Sequence, residues 1–432
     1  MPKPRSYICS EEILARDEAL ITTTMKYRLY PFSVARAKGI QLWDCDGNEY
    51  LDFMAVGGAI AAGHGHPRIR KAIESALENG IAHPLVCYSH KPAVELAERL
   101  VELFPADFDR KVWFGVSGSD AMDFLAKVAP IASGRPRLIS FTGAFHGMTI
   151  GSGGISGHAA LSKPIPGGHI TKAPFPNPKR CFWGPCEQSG CSLKCLEFLE
   201  GEILGNLSPP SETAAIFTEI IQSDSGEVVA PENYFPALRE VCNKHGIWLI
   251  VDEIKTGLGR TGRLFAFEKY GIVPDGLALA KPLGGGLPIS AVVARSELFD
   301  ADLYTAYTLG GSPVACTSAL ALLDVIQEEG LVENAAEMGA YLMSSLHELM
   351  QDHPVIGEVR GEGLLVGVEL NHVEDSEENL SDSAARLAYR CFELGLILLS
   401  FGSVIEMTPP LTITKSEIDQ GLDIFRQAIE TI

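Results

Sequence analysis

Short apolar runs alternate with segments of helical periodicity through the middle of the chain. The runs are KVWFGV ending at Val116, RLISFTGAF ending at Phe145, AAIFTEII ending at Ile221, IWLIVDE ending at Glu253, GLALA ending at Ala280 and SAVVA ending at Ala294. Runs this apolar, without polar alternation, are strands buried on both faces, and the helical stretches between them predict a mainly parallel sheet with helices on either side. Ahead of that block, residues 42–53 alternate around an Asp-Gly turn and predict a hairpin, and residues 68–79 have helical periodicity. After Pro313 come a helical segment, an amphipathic stretch over 331–350, strand-like VRGEGLLVGVEL, a helix around 385–394 and a last helix from Ser416. The pattern predicts an α/β protein with a large domain over residues 76–325. A small α+β domain is expected from both chain ends, residues 1–75 and 326–432. The acidic stretch from Glu374 to Asn379 reads as a solvated turn.

Composition narrows the classes. With 432 residues, 46% hydrophobic and 21% charged, the chain is long enough for two cores. Against 35 Lys plus Arg stand 55 Asp plus Glu, a net charge of −20 spread along the chain. Nucleic acid and anionic membrane are therefore poor partners. No apolar run reaches the roughly 18 residues of a spanning helix, and the start lacks a signal-like apolar core, so a cytoplasmic location is expected. Of ten cysteines, Cys181, Cys186, Cys191 and Cys195 crowd into one stretch with C-x4-C-x4-C-x3-C spacing, and the other six are scattered singly. That spacing lacks the tight pairs of a zinc ribbon, so reduced thiols in an ordered surface loop are expected and no metal is assigned.

Two strand ends carry the strongest chemical signal. One buried strand ends at Asp252, and a following strand runs into Lys281 just before Gly284, Gly285 and Gly286. An acid that keeps a pyridine nitrogen protonated and an amine that carries an aldehyde as an imine are the two needs of pyridoxal phosphate chemistry. Either feature alone is common in parallel sheets and turns. Ligands in such sheets sit beyond the carboxyl ends of the strands, where Ser117, His146, Asp252 and Lys281 all fall.

Other groups complete the set. Ser117, Gly118 and Ser119 open a helix, where backbone amides and hydroxyls would face a phosphate; a plain helix cap is the competing reading. Phe145, ahead of His146 and Gly147, offers a ring to stack on a pyridine. Thr308 supplies a hydroxyl in a turn before a helix. Arg360 offers a fork for a substrate carboxylate, against the rival reading of an ion pair, and Asp224 faces it in the empty site.

Taken together, LWDCDGNEYLDF, GHGHP, SGSDA, FHG, VDEIKTGLGRTGRLFAFEKYGIVPD, LAKPLGGGLPISA, TLGGSPVAC, RGEGLL and TPPLTIT make the chain resemble class III, ornithine or GABA aminotransferase-like, pyridoxal phosphate enzymes of fold type I, over nearly its full length. The resemblance implies pyridoxal 5′-phosphate held by Lys281 as a Schiff base, with Asp252 at the pyridine, Gly118 and Ser119 at the phosphate, and Phe145 stacked. Arg360 becomes the carboxylate clamp. It also implies an amino acid or amine and a 2-oxo acid as substrates, and a homodimer with shared active sites in which Thr308 reaches the opposite subunit's phosphate.

Departures from the family pattern open a second reading. Lys255 stands where many transaminases of the family have Gln, and Asp224 where they have Glu. These residues, with YRLYPF and VIEMTPPLTIT around Glu406, are similar to the branch that includes aminocaprolactam racemase and isoleucine epimerase. That branch implies a racemase or epimerase acting through the same carbanion. Racemisation needs an acid opposite the lysine, and the resemblance assigns it to a tyrosine at the position of Phe145, whose ring exchanges no proton. Transamination is therefore the first expectation. A non-catalytic cofactor binder acting through the cysteine-rich loop is a third, which would make Lys281 dispensable.

Overall fold

Seven strands rich in valine, isoleucine, leucine and alanine build the central sheet of a computed structural model that describes residues 5–79, 85–158, 169–372 and 379–431. They are β1 (Arg110–Gly115), β2 (Arg137–Phe141), β3 (Ile170–Ala173), β4 (Thr213–Glu219), β5 (Trp248–Asp252), β6 (Gly276–Leu279) and β7 (Ser290–Arg295). The spatial order is β3-β2-β4-β5-β6-β7-β1. All pairs are parallel except those of β7, which runs antiparallel to β6 and β1. Every residue of β4 and of β6 is buried, so these strands read as continuous apolar runs rather than alternating ones. Strand β3, with the half-polar sequence ITKA, is an edge strand that the apolar pattern does not mark.

The helix Gly118–Ser133 packs its buried Ala121, Leu125 and Val128 on Phe217, Ile250, Ala278 and Val292 of the sheet. Each such aliphatic or aromatic side chain contributes about 1.5–3 kcal/mol by leaving water. This helix starts directly beyond β1, which places its N-terminus on the carboxyl edge of the sheet.

The chain divides into two units, Arg68–Val332 and the pair of segments Met1–Pro67 and Glu333–Ile432. In the two-segment unit the hairpin of Gln41–Asp44 and Glu49–Asp52 forms around the Asp-Gly turn, and Leu396–Ile397 pairs in parallel with its second strand. Tyr30, Phe32, Tyr50 and Phe392 stack beside it. A second sheet runs Ile356–Glu362, Leu365–Leu370, Val404–Met407, Leu399–Phe401. Two of the scattered cysteines meet, contrary to their reading as isolated. The backbone amides of Cys9 and Ser10 donate to the Asp46 carboxylate, and Cys9 is joined to Cys45 by a disulfide.

The four clustered cysteines are free thiols, with Cys191 and Cys195 buried. Burial and the neighbouring thiols push Cys186 up to about 12 and Cys195 up to about 11. The acidic stretch lies, Asn379 aside, outside the described residues. No helix among the described residues is long and apolar enough to cross a membrane.

Candidate active site

Beyond the carboxyl ends of β4, β5 and β6, a cavity of about 160 Å³ is lined by Gly118, Ser119, Phe145, His146, Gly147, Glu219, Ile221, Asp224, Asp252, Ile254, Lys255, Thr256 and Lys281. Lys281 and Asp252 thus face one space. Asp252 ends β5, and its carboxylate is aimed by two donors: Ile254 N–H reaches Oδ1 at 2.9 Å, and His146 Nδ1 lies 2.9 Å from Oδ2. Both side chains are buried, and His146 Nε2 has no hydrogen-bond partner among the described residues.

Lys281 follows β6 and has φ of +23°, at the edge of the left-handed region that a non-glycine residue adopts only under constraint. Its surroundings supply that constraint. Pro282 follows it, Gly285 N–H bonds back to Pro282 O, and the Ser318 hydroxyl donates to Gly284 O. Strain of this kind costs on the order of 1–3 kcal/mol and gathers at functional sites.

At the helix start the serines divide their tasks. Ser117 is exposed and acts as the N-cap: its hydroxyl accepts from Asp120 N–H at 3.2 Å, while the Asp120 carboxylate accepts from Ser117 N–H and Val116 N–H. Ser117 does not line the cavity, so the capping reading describes its place. Gly118 and Ser119 do line it. A Cβ on Gly118 would stand 2.8 Å from Ile254 Cδ1, and one on Gly147 would stand 2.7 Å from Ser119 Cα. The Gly147 contact is with backbone, so that position requires glycine, whereas at Gly118 the side chain of Ile254 would have to give way.

Asp224 sits half-buried in the loop of the small hairpin Ile221–Gln222 and Val228–Val229. Lys255 is buried, with its ammonium 3.5 Å from Oε1 of the fully buried Glu227, which also accepts from the Ser223 hydroxyl at 2.6 Å. Thr308 is exposed and stands outside the cavity lining. Arg360 belongs to the two-segment unit, where its Nη1 is held by Glu358 at 2.8 Å and by Glu369 at 2.5 Å. Glu358 and Glu369 are opposite one another in the antiparallel pair, so the two carboxylates converge on the arginine between them.

Sequence reading passed over Glu219. It ends β4 directly opposite Asp252 of β5 and accepts from Phe145 N–H at 3.2 Å. Complete burial, then the charges of Asp252 and Asp224, push its carboxyl well above the ordinary range. The signal in the sequence was slight: one acid at the end of the otherwise uncharged run TAAIFTE.

The donor set suits a phosphorylated pyridine aldehyde. It offers an amine at Lys281, a carboxylate oriented by a histidine at Asp252, and a helix N-terminus at Gly118 and Ser119 with room for an anion.

A family model described as aminotransferase class-III matches residues 23–429. The chain is 37% identical over 441 residues to an alanine/serine racemase of Pyrococcus horikoshii, covering 99% of this chain and 91% of that one. To the 5-aminovalerate aminotransferase DavT of Pseudomonas aeruginosa it is 36% identical over 435 residues, covering 98% and 99%. Its structure is similar to that of a PLP-bound amine transaminase from an uncultivated Pseudomonas species. That match has a TM-score of 0.88 and 29% identity, over 95% of this chain and 97% of the other.

Proposed function

Because the chain belongs to the class III aminotransferase family, of fold type I and with pyridoxal 5′-phosphate as cofactor, we propose that it moves an amino group from an amino acid or amine to a 2-oxo acid. The observation that carries this reading is that Lys281 and Asp252 line one cavity. The bound cofactor supplies an electron sink for the pair left at the substrate carbon. Lys281 holds the cofactor through its amine and moves the proton at the substrate's Cα. Asp252, aimed by His146 and by Ile254 N–H, would hold the ring nitrogen protonated. Gly118 and Ser119 take the phosphate at the helix start, and Phe145 covers a ring face. Lys255, assigned to the cofactor, and Asp224, assigned to the substrate, line the same cavity. The Arg360 fork is already engaged by two carboxylates, which supports an ion-pair role for it.

The exposed Thr308, outside its own chain's cavity, supports a homodimer in which it reaches the other subunit's phosphate. The negative net charge agrees with a cytoplasmic enzyme.

A second reading, racemisation or epimerisation of an amino acid, draws on two cavity carboxyls, Asp224 and Glu219, that could act as acids where Phe145 cannot. The similarity to an alanine/serine racemase adds to it.

One experiment separates them. Purified protein is incubated with one enantiomer of an amino acid in heavy water without any 2-oxo acid. Aminotransferase action releases about one equivalent of 2-oxo acid per site and stops. Accumulation of the opposite enantiomer would make racemisation the principal activity instead. A colourless protein that borohydride cannot fix to cofactor at Lys281 would remove both.

A further inference from the structure

Lys172 lies in the edge strand β3, three strands from Asp252 in the order β3-β2-β4-β5, or roughly 14 Å at the usual strand spacing. It does not line the active-site cavity. Its side chain turns inward all the same: Nζ donates to the hydroxyl of its register partner Ser140 at 2.7 Å and to Gly154 O at 2.8 Å. Burial pushes the ammonium down to about 7, and in either charge state the nitrogen keeps hydrogens for both bonds. Both acceptors are neutral, so neither contact is an ion pair.

Gly154 belongs to the last turn of the short helix Ile150–Ile155, where carbonyls lack partners within the helix itself. The other end of that helix is met by Asp123, on the helix Gly118–Ser133. Asp123 Oδ1 accepts from the Thr149 hydroxyl and from Gly151 N–H, both at 2.7 Å, and from Ser152 N–H at 3.4 Å. An acid at the N-terminal end and an amine at the C-terminal end are the signs that a helix dipole favours. A helix of six residues is too short to be stable alone, so these two side chains supply partners that its own backbone cannot.

What this helix holds is His146. Ser156, just past its end, accepts from His146 N–H at 2.9 Å and donates its own hydrogen to Ser152 O at 2.8 Å. Gly157 N–H bonds to Ala144 O, and Gly157 O takes Gly143 N–H, which closes the loop. A Cβ on Gly157 would stand 2.0 Å from Phe141 O, so the closure is tight against the end of β2. His146 sits inside that closed loop, with Nδ1 2.9 Å from Asp252 Oδ2.

We infer that Lys172 and Asp123 are positioning residues of the active site, clamping the two ends of the helix Ile150–Ile155 so that His146 keeps its ring on Asp252. The inference rests on Asp252 as the partner of the cofactor's ring nitrogen. Action through a chain of contacts is shown by non-additive effects rather than by proximity.

Two measurements test this, and neither needs a substrate. The first is nuclear magnetic resonance of apoprotein labelled with heavy nitrogen only in histidine. The ring signals of His146, assigned by their loss in H146Q, should move in K172M and in D123A. Those of His245, held by Glu200, should stay in place. K172R, which keeps a donor, should return the His146 signals towards wild type. The second measurement uses holoenzyme loaded with pyridoxal phosphate carrying heavy nitrogen in its ring, and reads the pH at which that nitrogen loses its proton. K172M should lower this pH by roughly one unit, a tenfold loss of proton affinity. Added to H146Q it should lower it no further, because the path it acts through is already cut. D123A loosens the same helix from its other end and carries the same expectations should K172M fail to fold. Wild-type His146 signals and ring titration in both variants, or a full additional shift of K172M on H146Q, would mean that Lys172 only supports the fold. The inference then fails while the Asp252 reading stands. If D252N leaves the ring nitrogen as readily protonated as in wild type, that reading falls and the inference with it.

Discussion

His146 Nδ1 lies 2.9 Å from Asp252 Oδ2 in a buried pair, so the carboxylate at the end of β5 is held in one orientation before anything binds. Removing the charge itself, in D252N, should lower amino transfer by at least about 100-fold, because the ring nitrogen would lose the anion that keeps it protonated. Replacing the histidine, in H146Q, removes one bond to a charged group. Such a bond is worth about 1.5–3 kcal/mol, or roughly 10–100-fold in rate. Steady-state rates of both variants with an amino donor and a 2-oxo acid check the ranking, and equal losses would contradict it.

Gly147 has φ of +127°, and a Cβ there would stand 2.5 Å from Ser119 Oγ and 2.7 Å from Ser119 Cα. The second contact is backbone and cannot swing aside. G147A should therefore destabilise the protein by about 1–3 kcal/mol, the usual cost of overpacking, and weaken cofactor retention by displacing the helix start. Denaturant midpoints and cofactor absorbance after gel filtration measure the two effects.

Ser117 caps the helix, whereas Ser119 faces the cavity. S117A should cost about 1 kcal/mol of stability through the lost cap. S119A should mainly raise the dissociation constant for pyridoxal phosphate. Titration of the two apoproteins with cofactor, beside their melting curves, separates these effects; a larger affinity loss in S117A would reverse the assignment.

Glu253, the residue after Asp252, is fully buried, and that burial pushes its carboxyl up to about 7. Unfolded, it would titrate near 4.5. Between those values the folded protein holds a proton that the unfolded chain has lost, so stability is fully present below about pH 4.5 and falls as pH rises towards 7. The total is about 3 kcal/mol for this group, and Glu219 adds a contribution of the same sign. Denaturant unfolding at pH 5 and pH 8 should show that decline in wild type and a smaller one in E253Q.

Legibility in the sequence followed burial. The strand ends at Asp252 and Lys281 stood out because a charged residue closing an apolar run is conspicuous wherever that run lies in the sheet. Glu219 closes β4 in the same manner, yet its meaning depends on being in register with Asp252, a residue 33 positions away. Ser117 illustrates the opposite limit: the tetrapeptide Ser-Gly-Ser-Asp is compatible with a cap and with an anion site, and only the direction of each hydroxyl divides the tasks. Arg360 was visible as a cation, but its partners come from the same strand and the strand opposite, which pairing alone brings together.

The order of apolar and polar residues was enough to fix the alternation of buried strands and helices, and with it the edge on which the chemistry gathers, because hydrophobic periodicity is a local property of the chain. Which acids are ionised, which serine caps and which faces the cavity, and which arginine is already paired were decided by tertiary structure. Those outcomes depend on desolvation and on neighbours distant in sequence, and both come into being only when the strands are side by side.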